Sequence, residues 1–124
     1  MRRIGKPSPV HAAAESKLRD LALAYPETTE SFPWDHRAIK VKGKTFLFLH
    51  ADASGLGLSV KLPVSRKDAL KHAFASPTAY GLGKSGWVSA SFAPKEKPPV
   101  DVLARWLDES YRAIAPKRLV KGLK

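Results

Sequence analysis

Basic side chains carry most of the chemistry this sequence could do. Lys40 and Lys42 alternate with Ile39 and Val41, Lys44 follows at a turn, and Lys61 alternates with Val60 and Leu62. Arg66, Lys67 and Lys71 cluster further on, and Lys84 stands inside Gly81-Leu82-Gly83-Lys84-Ser85-Gly86. A lysine ammonium is a flexible point charge suited to phosphate oxygens, whereas reading base edges favours Arg, Asn or Gln. Asn and Gln are absent from the chain. The eight cations therefore predict contact with a nucleic-acid backbone rather than readout of its sequence.

Other chemistries fit the residues poorly. The Gly-Lys-Ser stretch looks like the end of a phosphate-binding loop, but the glycine required five residues earlier is Thr78 and a strand, not a helix, is expected next. What remains open is a looser anion nest or a plain flexible turn. Histidines stand at 11, 36, 50 and 72 without metal-ligand spacing, so scattered, partly exposed histidines are expected and no metal. Ser59, Ser85 and Ser89 lie in no nucleophile elbow. Asp35, Asp52, Asp68, Asp101, Asp108 and Glu109 fall beside turns or on helices, where capping and solubility account for them. There is no cysteine, which removes disulfides, thiolate nucleophiles and Cys-held zinc. No enzyme activity and no cofactor are expected.

These side chains need a scaffold, and 124 residues suggest one domain, here residues 1–124 with loose ends at 1–8 and 117–124. The 22 Lys and Arg against 11 Asp and Glu leave a formal charge of +11, spread through segments that read as folded rather than held in a tail. Such a field draws polyanions toward the protein. No apolar stretch is long enough for a bilayer and no leader pattern opens the chain, so a cytoplasmic location without membrane contact is expected.

The element order follows from punctuation and period. Ser8-Pro9 opens a helix whose stripe is Ala14, Leu18, Leu21, Ala22 and Tyr25, ended by Pro26. Residues 26–35 read as a connection in which Phe32 and Trp34 either cover one end of the core or rim a groove. Strands are expected over 36–42, with Lys40 and Lys42 facing together, then over 45–50 after a Gly43-Lys44 hairpin turn, and over 56–62. The middle strand, Thr-Phe-Leu-Phe-Leu-His, is apolar on both faces, as suits a central strand or one whose second face is covered by aromatics. Connections this short demand an antiparallel meander.

A capping box at Ser65-Arg66-Lys67-Asp68 would start a second helix with Ala69, Leu70, Ala73 and Phe74 inward. A short strand could lie within 78–82, another spans Trp87 to Phe92, and a strongly periodic helix runs from about Val100 to Ile114. The expected fold is α+β: an antiparallel sheet of four or five strands flanked by helices, in the order α-β-β-β-α-(β)-β-α.

Several stretches also resemble the MmcQ/YjbR-like family of small bacterial proteins. They are Pro26-Glu27-Thr28-Thr29-Glu30 with Phe32-Pro33-Trp34, the run from Ile39 to Phe46, the Leu-x-Leu-x-Val-Lys-Leu of 56–62, Gly-Lys-Ser-Gly-Trp-Val at 83–88, and Leu107 with Ser110-Tyr111. The resemblance implies a helix-flanked antiparallel sheet of secretion-chaperone or frataxin-like topology. It also implies a DNA-binding role through a double-wing arrangement, with Gly43, Lys44, Lys84 and Trp87 at recurring positions. The Thr78-Ala79-Tyr80 stretch departs from the family's pattern before that loop. The alternative is a protein-interaction or adaptor module anchored by Phe32, Trp34 and Trp87, since large aromatics dominate interface centres.

Overall fold

A computed structural model describes residues 5–33, 36–79 and 82–123. The first helix, α1 (Pro9–Leu23), begins where Ser8 Oγ accepts the His11 amide at 3.2 Å, with Pro9 in the first turn. Six strands follow in sequence: β1 (Thr28–Ser31), β2 (Arg37–Val41), β3 (Lys44–Asp52), β4 (Gly55–Lys61), β5 (Ala75–Pro77) and β6 (Trp87–Phe92). A short helix α2 (Arg66–Ala69) separates β4 from β5, and a 3-10 turn over Leu82–Ser85 leads into β6. Two helices, α3 (Val100–Ile114) and α4 (Lys117–Lys121), close the chain. The strands form one antiparallel sheet in the order β1-β2-β3-β4-β6-β5. The α+β class is as expected, and the sheet has six strands rather than four or five.

The differences have local causes. Strand β1 lies in what reads as a connection, because Thr-Thr-Glu-Ser is polar throughout. It is an edge strand, and Glu30 turns inward to accept Arg19 Nε at 2.8 Å and to meet Arg37 Nε at 2.6 Å. The hairpin turn is Lys42-Gly43, both at positive φ (52° and 82°), so Lys42 leaves the strand and the expected Gly43-Lys44 turn moves back one residue. Strand β5 sits at 75–77 instead of within 78–82; Tyr80 and Gly81 lie outside the described residues.

The second helix is also shorter than expected. Ser65 makes no side-chain cap bond; its hydroxyl donates to Glu109 Oε1 at 2.6 Å, and Glu109 Oε2 accepts the Val64 and Ser65 amides. A carboxylate from α3 thus satisfies these groups, and the chain leaves the helix after Ala69. Residues 117–121 form α4 and bury Leu119 where a loose end was expected.

Strand pairing and alternation sort the side chains onto two faces. One face carries Ile39, Val41, Leu47, Leu49, Leu56, Leu58, Val60, Val88, Ala90 and Phe92, all in a single buried cluster. Each of the four helices contributes to that cluster, through Leu18, Ala69, Leu107 and Leu119 among others. A bulge refines the pattern. Ile39 pairs with Leu47 but Lys40 with Thr45, so Phe46 is an extra residue on β3 and joins Leu47 on the helix side. There its ring meets Tyr111 edge-on at 5.2 Å. Ser110 fills the gap in the ladder: its hydroxyl accepts the Lys61 amide at 2.9 Å and donates to the Phe46 carbonyl at 2.6 Å.

Candidate nucleic-acid interface

The other face of the sheet carries no helix among the described residues. Its strand positions are Thr29 and Ser31 on β1, Ala38 and Lys40 on β2, and Thr45, Phe48, His50 and Asp52 on β3. They continue with Gly57, Ser59 and Lys61 on β4, Ser76 on β5, and Trp87, Ser89 and Ser91 on β6. Ala38 and Trp87 are buried yet stand outside the main core cluster, as expected for residues on the opposite side. Among these described positions Asp52 is the only carboxylate, and it lies at the β3–β4 turn, where it accepts the Ser54 amide at 2.8 Å.

The register gathers two of the predicted cations at the opposite end. Lys40 faces Thr45 across β2–β3, and Lys61 faces Trp87 across β4–β6. Lys40 and Lys61 are thus two strands apart on one face, roughly 10 Å by strand spacing. Lys44 opens β3 but pairs with Val41, which turns it toward the helix side, and Lys84 stands three residues before Trp87 in the turn whose Gly86 carbonyl accepts the Leu62 amide at 2.8 Å. None of the ion pairs among the described residues involves Lys40, Lys44, Lys61 or Lys84.

The other four predicted cations are placed differently. Lys42 at the hairpin tip reaches Glu27 at 3.3 Å, and that carboxylate also takes Arg118, which holds it below the usual range. Arg66, Lys67 and Lys71 follow the α2 segment onto the helix side: Ser65 is tied to Glu109 of α3, and Phe74 packs on Phe92 and Trp106. Lys71 also meets Asp68 at 3.4 Å. The eight cations therefore do not share one surface: Lys40 and Lys61 lie on the helix-free face with Lys84 in the turn beside it, Lys44 pairs toward the helix side, Arg66, Lys67 and Lys71 follow α2, and Glu27 engages Lys42 at the edge.

The aromatic anchors do not gather either. Phe32 is 58% exposed with the Arg37 guanidinium 5.3 Å from its ring centre, so it does not close the core. Trp87 is only 7% exposed and packs beside Phe48 at 5.8 Å, and Trp34 lies outside the described residues.

Three features of the helix-free face were not singled out from the sequence. Phe48 sits near its middle, half-buried. Ser59, Ser89 and Thr78 join hydroxyls at 2.7 and 2.9 Å. His36 and His50 stack at 4.2 Å with rings 5° apart, and His50 lies so close over Gly57 that a Cβ there would come within 2.7 Å. Burial first, then the neighbouring His36, pushes the His50 pKa below its ordinary value. The expectation of scattered, partly exposed histidines also fails at His11, which is fully buried with Nε2 donating to the Glu96 carbonyl at 2.7 Å.

The YjbR family model matches residues 23–113, which takes in all six strands and most of α3. The chain belongs to the YjbR family. Among solved structures it is similar to the Deinococcus radiodurans protein DR2400, whose crystal structure carries a domain of the DUF419 family model. The two share 26% identity with a TM-score of 0.63, over 79% of this chain and 75% of that one. No curated protein matches the chain.

YjbR membership supports a generic DNA-binding-associated role and places the chain among small non-catalytic domains. Among the described residues no group of three His, Asp or Glu side chains could hold a metal ion, and no helix is long and apolar enough to cross a membrane.

Proposed function

We propose that this YjbR domain binds DNA without sequence preference, through phosphate contacts made by Lys40 and Lys61 on the helix-free face and by Lys84 in the adjoining turn. The observation that carries this reading is the placement of Lys40 and Lys61 on one face, two strands apart and free of described carboxylates. Family membership points the same way. Arg66, Lys67 and Lys71 are assigned no part in this surface, because the α2 segment lies against α3. Lys42 and Lys44 contribute less than these three, because Glu27 already engages Lys42 and Lys44 pairs with Val41 on the helix side.

The adaptor reading has less support, since one of its three anchors, Trp87, is buried and Phe32 is already faced by Arg37.

A salt titration of duplex binding tests the proposal. Counterion release gives a log–log slope of about −0.9 per neutralised phosphate, so three lysines correspond to roughly −2.7. Lys40→Ala combined with Lys61→Ala is expected to reduce that magnitude by about 1.8. If neither duplex nor single-stranded DNA binds above a neutral-protein control at low salt, the proposal fails.

A further inference from the structure

We infer that the helix-free face takes nucleic acid as a single strand, with a base stacked on Phe48 and the flanking phosphates on Lys40 and Lys61. This rests on the phosphate-binding reading above and adds the state of the strand.

The register builds the site. Phe48 lies on β3 opposite Ala38 of β2 and Ser59 of β4. Lys40 is two residues beyond Ala38, and Lys61 two residues beyond Ser59. Both lysines are therefore diagonal neighbours of Phe48, each about 7–8 Å away by strand geometry. The direct cross-strand neighbours are small, and the Phe48 ring itself stays partly exposed. Trp87, itself buried, supports it from β6 at 5.8 Å with the rings tilted by 49°. The linked hydroxyls of Ser59 and Ser89 lie alongside and can bond phosphate oxygens or base edges.

Dimensions decide between duplex and single strand. A six-stranded sheet is roughly 24 Å across at the usual spacing, whereas the major groove is about 12 Å wide. The face cannot enter a groove, so on a duplex it touches phosphates alone and Phe48 has no partner. An unpaired base offers the ring a stacking surface of any sequence, which agrees with a chain that has no Asn or Gln. A positive track around an aromatic is the arrangement that binds single strands generally.

The test is anisotropy of the full chain with fluorescein-labelled oligo(dT) of about 15 nucleotides, long enough for one such site, and with a duplex of equal length. Phe48→Leu is expected to weaken oligo(dT) binding on the order of ten-fold while changing duplex binding by less than about two-fold. Phe48→Tyr, which keeps the ring, is expected to bind oligo(dT) like the parent. Equal effects of Phe48→Leu on both ligands, or none on either, overturn the inference. Lys40→Ala with Lys61→Ala weakens both ligands if the phosphate reading holds, so that reading survives or fails separately. Should Phe48→Leu not fold, tryptophan emission of the unaltered chain decides: oligo(dT) quenches it through Trp87 and duplex does not, and equal quenching by both contradicts the inference.

Discussion

The helix side of the sheet presents Ile39, Leu47 and Val60 with no exposure at all, beneath α1 and α3. The same strands, one residue along, present the half-buried side chains of Lys40, Phe48, Ser59 and Lys61 on the opposite face. The first side also holds carboxylates: Glu15 of α1 and Glu30 of β1 take Arg37, and Glu109 of α3 takes Ser65. Charge there is consumed in holding the fold. On the second side the one described carboxylate is remote, so cations stay available. The two-residue period of a strand thereby separates the side chains that hold the fold from those proposed to bind.

That separation can be broken from either side. The largest effect is expected from Leu47→Ala, which opens a cavity under the helices and costs about 2–5 kcal/mol in urea unfolding. Phe48→Leu, its neighbour on the other face, should cost less than about 1.5 kcal/mol because volume is nearly kept. Equal losses at the two positions would mean that the second face is also core.

Ser110→Ala should follow, at about 2–4 kcal/mol, because the Lys61 amide and the Phe46 carbonyl each lose their partner where the bulge opens the ladder. A loss under about 0.5 kcal/mol by thermal melting would show that the ladder closes without the hydroxyl.

Acid provides a smaller test of the helix side. Hydrogen bonding from Arg19 chiefly, with Arg37 also contributing, holds the Glu30 carboxyl below its ordinary range. Its stabilisation is complete above the unfolded value of about 4.3 and is lost as pH falls through the lower folded value. Melting temperature should therefore fall as pH drops below about 4.3, and Glu30→Gln should be less stable near neutrality with a shallower acid decline. Parallel curves for the two chains would remove Glu30 from the explanation. The smallest effect is expected from Lys67→Ala with Lys71→Ala, which should leave oligonucleotide affinity within about two-fold by anisotropy because these side chains belong to the α2 segment. A loss matching that of Lys40→Ala with Lys61→Ala would move the binding surface to the helix side.

Much of this division is legible in the sequence. The alternation of Ile39-Lys40-Val41 and Val60-Lys61-Leu62 places two lysines outward, and the periods of α1 and α3 mark the covering layer. The bulge is not legible, because strict alternation puts Phe46 and Phe48 together when pairing sends them to opposite faces. Glu109 stands 44 residues from Ser65, so a local capping box at Asp68 was the nearer explanation. Likewise, the tie between Lys42 and Glu27 depends on β1, whose polar residues carry no strand pattern. Long-range partners decide which cations are free, and spacing along the chain does not encode them.

The most direct measurement is amide chemical-shift mapping of the isotopically labelled chain during titration with oligo(dT). Perturbations should concentrate at Lys40, Thr45, Phe48, Ser59, Lys61 and Trp87 and leave α1, α2 and α3 within error. Shifts centred on Arg66 to Lys71 or along α3, with the helix-free strands silent, would contradict the assignment of this face to nucleic acid.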